Sequence, residues 1–287
     1  ALTTLFSRSL VNDMFKYYVV LDFEATCDEL NAPSPQEVIE FPSVLVDASS
    51  LKVVDEFQEY VKPLHHPKLR EFCTELTGIT QNVVDPADLF PVVFQNHQKW
   101  LESHDLSLNE DISEATWAFV SCGNWDLGTM LPTQLNACDP PIQIVPQCYR
   151  RWINIKRPFS EQMNKRAWGM KGMLKDLKLT LDGRHHSGID DCRNIAKIVM
   201  ELCKKKQLQI TCQTALSRYP TITVKIIHND KCQEVALRKR SIKTLLGLAS
   251  GTFRKQMSVC ELQPSNSELI NDDDLRSLID GDSIMVR

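Results

Sequence analysis

Between Tyr17 and Val61 the apolar positions fall into three short runs that predict β-strands. Tyr17–Thr26 is apolar until its end, and Phe41–Asp47 and Val53–Val61 follow, all rich in the β-branched and aromatic residues that suit a pleated surface. Asn31–Gln36, with Pro33 and Pro35, reads as a turn region. Helical material is expected over Pro67–Leu76, closed by Thr77-Gly78. Asp85–Leu101 carries Leu89, Val92, Val93 and Trp100 at roughly helical spacing. Trp117–Ser121 predicts a strand, Asp126–Leu135 a helix and Ile142–Val145 a further strand. The strongest helix is Asp190–Lys205, with Cys192, Ile195, Ala196, Val199, Leu202 and Cys203 on one face. Three strands, helix, strand, helix, strand and helices predict an α/β fold: a mixed sheet with an antiparallel meander and later parallel strands, flanked by helices.

After about residue 210 the pattern changes. Ile222–Ile227 alternates as a strand and Glu234–Arg238 could pair with it. Ser241–Phe253 has helical spacing, Val259–Leu262 reads as a strand, and Ser283–Val286 follows the turn Asp280-Gly281-Asp282. The expected organisation is a main domain over residues 1–215 and a small α+β, β-grasp or ubiquitin-like domain over 218–287. This second reading is fold-level analogy and carries no function.

Asp22 and Glu24 stand one residue apart, so in a strand they share a face. Two carboxylates side by side in an apolar run repel each other and lose hydration, which is costly unless a cation compensates. Oxygen donors favour a hard ion such as Mg²⁺ or Mn²⁺. Asn124-Trp125-Asp126 and His186-Ser187-Gly188-Ile189-Asp190-Asp191 lie where other apolar segments begin or end. Asp126 starts one helix, and Asp191 sits in the first turn of another, one turn before the buried Ile195. Four converging carboxylates would suit two magnesium ions and be a poor zinc site. Two ions ~3.5–4 Å apart can activate a water for phosphoryl displacement. A neutral His186 can take that water's proton. Cys203, Cys212, His228, Cys232 and Cys260 match no zinc ribbon or finger spacing, and buried thiols explain them more simply.

The net charge of −4 argues against a simple basic nucleic-acid coat. Its distribution says more: Arg150–Arg184 holds ten Lys or Arg against three acids, while residues 102–114 are acidic, an uneven field that can guide a polyanion to one surface. Ten scattered cysteines without a CxxC pair point to reduced thiols in the cytosol or nucleus. No apolar stretch approaches the ~20 residues of a membrane span, so no membrane partner is expected. The N-terminus, without Met or a signal-peptide pattern, reads as trimmed.

Asp22-Phe23-Glu24-Ala25-Thr26, Asn124-Trp125-Asp126 and His186-x4-Asp191 resemble the three motifs of DEDDh exonucleases. Within that group the chain most resembles the Eri-type 3′–5′ exoribonucleases, which trim histone mRNA ends, ribosomal RNA and small interfering RNA. The resemblance runs from about Tyr18 to Ile210 and includes Val38-Ile39-Glu40-Phe41-Pro42, Tyr60-Val61-Lys62-Pro63, Leu76-Thr77-Gly78-Ile79-Thr80, Trp152-Ile153-Asn154 and Asp182-Gly183-Arg184. It implies an RNase-H-like fold and release of nucleoside 5′-monophosphates from single-stranded RNA 3′ ends. Asp22 would bridge both ions, Glu24 and Asp191 would complete one site, Asp126 would support the second, and His186 would be the general base. His185 is a neighbour, and Asp190 reads as a helix cap. Ala25, Thr26, Trp125 and Arg184 are the expected substrate contacts; Phe23 reads as core, and Trp152 as packing or stacking. Two other readings stand beside this one: a nuclease that degrades DNA as well as RNA, and an idle nuclease fold that presents its C-terminal domain to a protein partner.

Overall fold

The computed structural model describes residues 15–31, 33–110 and 114–213, and beyond them 222–228, 231–237, 245–246, 249–250, 260–263, 267–268 and 283–286. The expected turn at Asp280-Gly281-Asp282 lies outside the described residues, as does most of the helix expected over Ser241–Phe253.

β1 (Tyr17–Leu21), β2 (Glu24–Ala25), β3 (Val38–Asp47) and β4 (Lys52–Tyr60) form the antiparallel part of a seven-stranded mixed sheet. β5 (Trp117–Ser121) and β6 (Arg151–Asn154) add to β1 in parallel, and β7 (Cys212–Gln213) pairs antiparallel to β6. The order is β2-β3-β1-β5-β6-β7, with β4 on the other side of β3. This mixed α/β architecture is consistent with the expected RNase-H-like fold.

Strand alternation divides the core into two layers. Val19, Leu21, Phe119 and Trp152 pack under α3 (Phe90–Ser103) and α4 (Leu131–Ala137), which follow the short α1 (Glu71–Thr77) and α2 (Gln81–Val84). Tyr18, Val20, Val120 and Ile153 pack against α5 (Lys156–Met163), α6 (Met170–Asp176) and α7 (Gly188–Cys203). In α7 the periodic face read from the sequence is buried at Cys192, Ile195, Ala196, Val199 and Leu202 and half-buried at Cys203.

Four expectations need correction. The strand expected over Tyr17–Thr26 breaks at Asp22-Phe23. The β1–β3 register runs to Leu21 opposite Ser43, which sets Pro42 opposite Asp22, and proline has no amide hydrogen for the ladder. The Phe23 amide instead donates to Asp126 Oδ1 at 2.9 Å. The helix expected from Asp85 begins at Phe90, because Leu89 bridges to Lys62 in extended backbone and Pro91 fits the first helical turn. Ile142–Val145 is not a strand: Pro140, Pro141 and Pro146 flank it, and Ile142 N–H turns back to the Leu135 carbonyl. The parallel strand lies later, at Arg151–Asn154. Finally, Asp190 is not the cap of α7; its carboxylate accepts the Arg184 amide and pairs with Arg193.

In the C-terminal part, β8 (Ile222–His228), β9 (Lys231–Leu237), β10 (Cys260–Gln263), β11 (Ser267–Glu268) and β12 (Ser283–Val286) form a separate five-stranded sheet. Its order is β11-β10-β12-β8-β9, with β12 parallel to β8 and the other pairs antiparallel.

Gly188 marks a close join between α7 and the sheet. A Cβ there would lie 2.9 Å from the Asp22 carbonyl oxygen, 2.9 Å from Pro42 Cγ and 3.0 Å from Glu40 Oε2. Gly188→Ala is therefore expected to cost roughly 1–3 kcal/mol through overpacking, read as a lower urea midpoint with an unchanged slope.

Candidate active site

The break after β1 matters because of what it gathers. Asp22 directly follows the central strand and Glu24 opens β2; one carboxylate oxygen from each lies within 4.8 Å of one from Asp191 on α7. Asp126 opens a π-helical turn over Asp126–Met130 after β5, a distortion common at functional sites. It is 4% exposed, and its bond from Phe23 N–H ties that turn to the break in the first strand. The loop before it is fixed by Asn124, whose Oδ1 accepts from Trp152 Nε1, Asn154 Nδ2 and Cys212 Sγ.

A further acid, Glu40, was quoted from the sequence only as part of a motif. It is 1% exposed, directly opposite Glu24 in the β2–β3 pairing. Its carboxylate accepts the Gly188 amide at 3.0 Å, the Ile189 amide at 3.2 Å and Gln58 Nε2 at 2.8 Å. Glu40 thus satisfies the first free amides of α7, whose N-cap, Ser187, makes no side-chain bond. The available signal was a lone acid inside the apolar run Val38–Val46.

Burial and mutual repulsion set the titration of this cluster. Asp22 is driven well above the carboxylate range by burial, then by Asp126, Asp191, Glu24 and Glu40. Glu24 is pushed up to about 9 by burial, then by Glu40, Asp191 and Asp126. Asp126 rises to about 6 through burial, opposed by the Phe23 amide and Lys156. Glu40 is raised by burial, against the bonds from Gln58, Gly188 and Ile189. These oxygen donors need positive charge from elsewhere, and their chemistry fits a hard divalent cation.

His186 sits in the loop before α7 with φ 67°. Its amide donates to Asp191 Oδ2 at 3.0 Å, and its ring stacks on His185 with centroids 3.9 Å apart. His185 Nδ1 lies 3.0 Å from the same Asp191 oxygen. Burial, and then the neighbouring His185, hold His186 below its usual range, so it is neutral near pH 7. Among the described residues, the second group able to hold a metal ion is His185, His186 and Asp191, and neither group contains a cysteine. The fully buried His97 bonds Ser43 and Tyr149 inside the core and belongs to packing.

The expected substrate contacts separate by exposure. Trp125 is 39% exposed beside Asp126, whereas Trp152 is 3% exposed and Phe23 4% exposed, both in the core. Ala25 and Thr26 are buried, and Thr26 Oγ1 accepts the Glu37 amide. The Arg184 guanidinium donates to the Glu75 and Leu76 carbonyls near the end of α1, so it braces the His186 loop. Beside Thr26 opens a cavity of about 710 Å³ lined in part by Cys27, His65, His66, Lys68 and Arg70. Its 64–66 wall hangs on Glu37, which accepts the amides of Leu64, His65 and His66.

A family model described as Exonuclease (RNase_T) matches residues 19–199. The chain is 41% identical over 191 residues to ERI1 exoribonuclease 3 of Homo sapiens, covering 66% of this chain and 54% of that protein. It is 37% identical over 195 residues to 3′-5′ exoribonuclease 1 of Rattus norvegicus, covering 67% of this chain and 54% of that protein. The chain thus spans about half the length of these curated relatives. Among solved structures, the nuclease domain of 3′hExo, a DEDDh family member bound to rAMP, is 32% identical with a TM-score of 0.64, over 71% of this chain and 100% of that one. A 3′-exonuclease whose structure concerns 3′-end-specific recognition of the histone mRNA stem-loop is 29% identical with a TM-score of 0.62, over 78% of this chain and 92% of that one.

The raised carboxyl groups make stability depend on pH and metal together. Glu24 titrates near 9 when folded, above its ordinary 4.5, so between those values the folded state binds more protons than the unfolded one and stability falls as pH rises. The metal-free protein is expected to melt lower at pH 8 than at pH 6. Mg²⁺ or Mn²⁺ should raise the melting temperature, and more so at pH 8, in thermal shift against EDTA.

Proposed function

The chain belongs to the exonuclease family, its match running over residues 19–199, and on that premise we propose that it is a 3′–5′ exoribonuclease releasing nucleoside 5′-monophosphates. One observation carries the proposal: Asp22, Glu24 and Asp191, from three separate elements, bring carboxylate oxygens within 4.8 Å of one another, with His186 and Asp126 beside them. Asp22, Glu24, Asp126 and Asp191 would hold two divalent ions, Mg²⁺ or Mn²⁺, which supply charge neutralisation and an acidified water when bound. His186, neutral near pH 7, accepts the proton of the attacking water at a ring nitrogen. Asp191 orients the His186 loop through its amide, and His185 limits the ring's motion by stacking. Trp125 is the surface on which the terminal base stacks. The cavity beside Thr26, through Lys68 and Arg70, offers positive groups to the adjoining phosphates.

RNA is favoured over DNA by the relatives, which are named exoribonucleases. Residues 1–215 form the nuclease unit on this reading, and 218–287 a β-grasp module through which a protein partner is engaged. The module reading is supported by the sheet order, in which the first and last strands lie parallel and adjacent at the centre. The thiol-rich composition favours the cytosol or nucleus as the site of action.

The test is digestion of matched 5′-labelled single-stranded RNA and DNA in Mg²⁺. A ladder shortening from the 3′ end on RNA is expected. Asp22→Asn should abolish it, and His186→Ala should lose about 100-fold or more of kcat while keeping the metal-induced rise in melting temperature. A ladder of equal rate on DNA would make the protein a general nuclease. No ladder on either would leave the nuclease fold as a binding module.

A further inference from the structure

We propose that Trp168, stacked with Arg166 just ahead of α6, is a second RNA-binding platform that grips nucleotides upstream of the 3′ end. The inference rests on the exoribonuclease reading and deepens it. Trp168 is 72% exposed, far more than Trp125 at 39%. The Arg166 guanidinium lies 4.2 Å from the centre of its ring, an arrangement that keeps a cation against one face of the indole. The outward position is built into the backbone. Gly169 adopts φ 147°, which a side chain would strain, and from there the chain enters α6. Met170, Met173 and Leu174 then bury against the sheet, leaving Trp168 on the outside.

A neighbouring lysine reaches the field of the site. Lys171, two residues beyond Gly169, lies within electrostatic reach of His186. It is exposed, as are Arg157, Lys165, Lys175 and Lys178 of the same basic stretch. An exposed indole among cations suits a polyanion that also carries flat apolar bases, since stacking tolerates any base while the cations follow the phosphates. Trp125 would hold the terminal base and Trp168 a base further along, with Lys171 near the phosphates between. Such a second grip makes affinity depend on RNA length.

The experiment compares the wild type with Trp168→Ala and Trp168→Phe on single-stranded RNA, a dinucleotide and a dodecanucleotide. Binding is read by fluorescence anisotropy in EDTA and turnover in Mg²⁺. For Trp168→Ala the dodecanucleotide Kd and KM should rise about ten-fold, the loss of one stacked base, with kcat and the dinucleotide KM unchanged. Trp168→Phe should restore most of the affinity. Equal affinity of wild type and Trp168→Ala for the dodecanucleotide would overturn the platform and leave the indole to a protein partner. An equal loss on both lengths would overturn it too, placing the effect in the catalytic centre. Anisotropy without turnover reads the platform independently of the chemistry, so a wild type that binds RNA in this length-dependent way yet never shortens it would defeat the nuclease reading alone.

Discussion

Glu40 is the hinge on which the site depends. A buried carboxylate near the start of β3 accepts the first two amides of α7, almost 150 positions later in the chain. That contact sets where the first turn of α7 begins and thus where Asp191 projects. Through Asp191 it also fixes the His186 amide and His185 ring nitrogen. The join leaves little room for a side chain at Gly188, since the Asp22 carbonyl and Pro42 ring close over it. Sheet and helix are locked by carboxyl–amide hydrogen bonds at the point where the carboxylates must meet.

The arrangement is electrostatically expensive without cations. Five acids, Asp22, Glu24, Glu40, Asp126 and Asp191, influence one another across the end of the sheet. Two of them receive internal compensation: Glu40 from the positive end of α7, Asp126 from the Phe23 amide and Lys156. Asp22 and Glu24 are left with burial and repulsion, and these are the groups that most need a metal. Binding an ion there couples the fold to the chemistry, because the ion relieves in the folded state a repulsion that the unfolded chain does not feel. The two apolar layers on either side of the sheet hold the cluster together against that repulsion.

The sheet break at Asp22-Phe23 shows how a local rule and a tertiary contact combine. Pro42 has no amide hydrogen to give the ladder, and past the break the Phe23 amide donates to Asp126 rather than to a strand. One backbone donor lost to the sheet becomes the tie between the first and second acidic motifs.

Much of this was legible in the chain. The period of α7, the Trp117–Ser121 strand and the spacing of Asp22, Glu24, Asp126, His186 and Asp191 follow from alternation, helical repeat and the chemistry of grouped carboxylates. These are properties of neighbours in sequence, and sequence determines them. It did not reveal that Glu40 would serve α7, that Asp190 would bind Arg184 and Arg193, that Arg184 would brace α1, or that Trp152 would be buried and Trp168 exposed. Nor did it distinguish Ile142–Val145 from Arg151–Asn154 as the parallel strand. Each of those outcomes turns on which distant donor meets which acceptor, or on which face of a short run the packing covers. The tertiary structure decided them, because a polar group's role depends on the partner brought within hydrogen-bond reach.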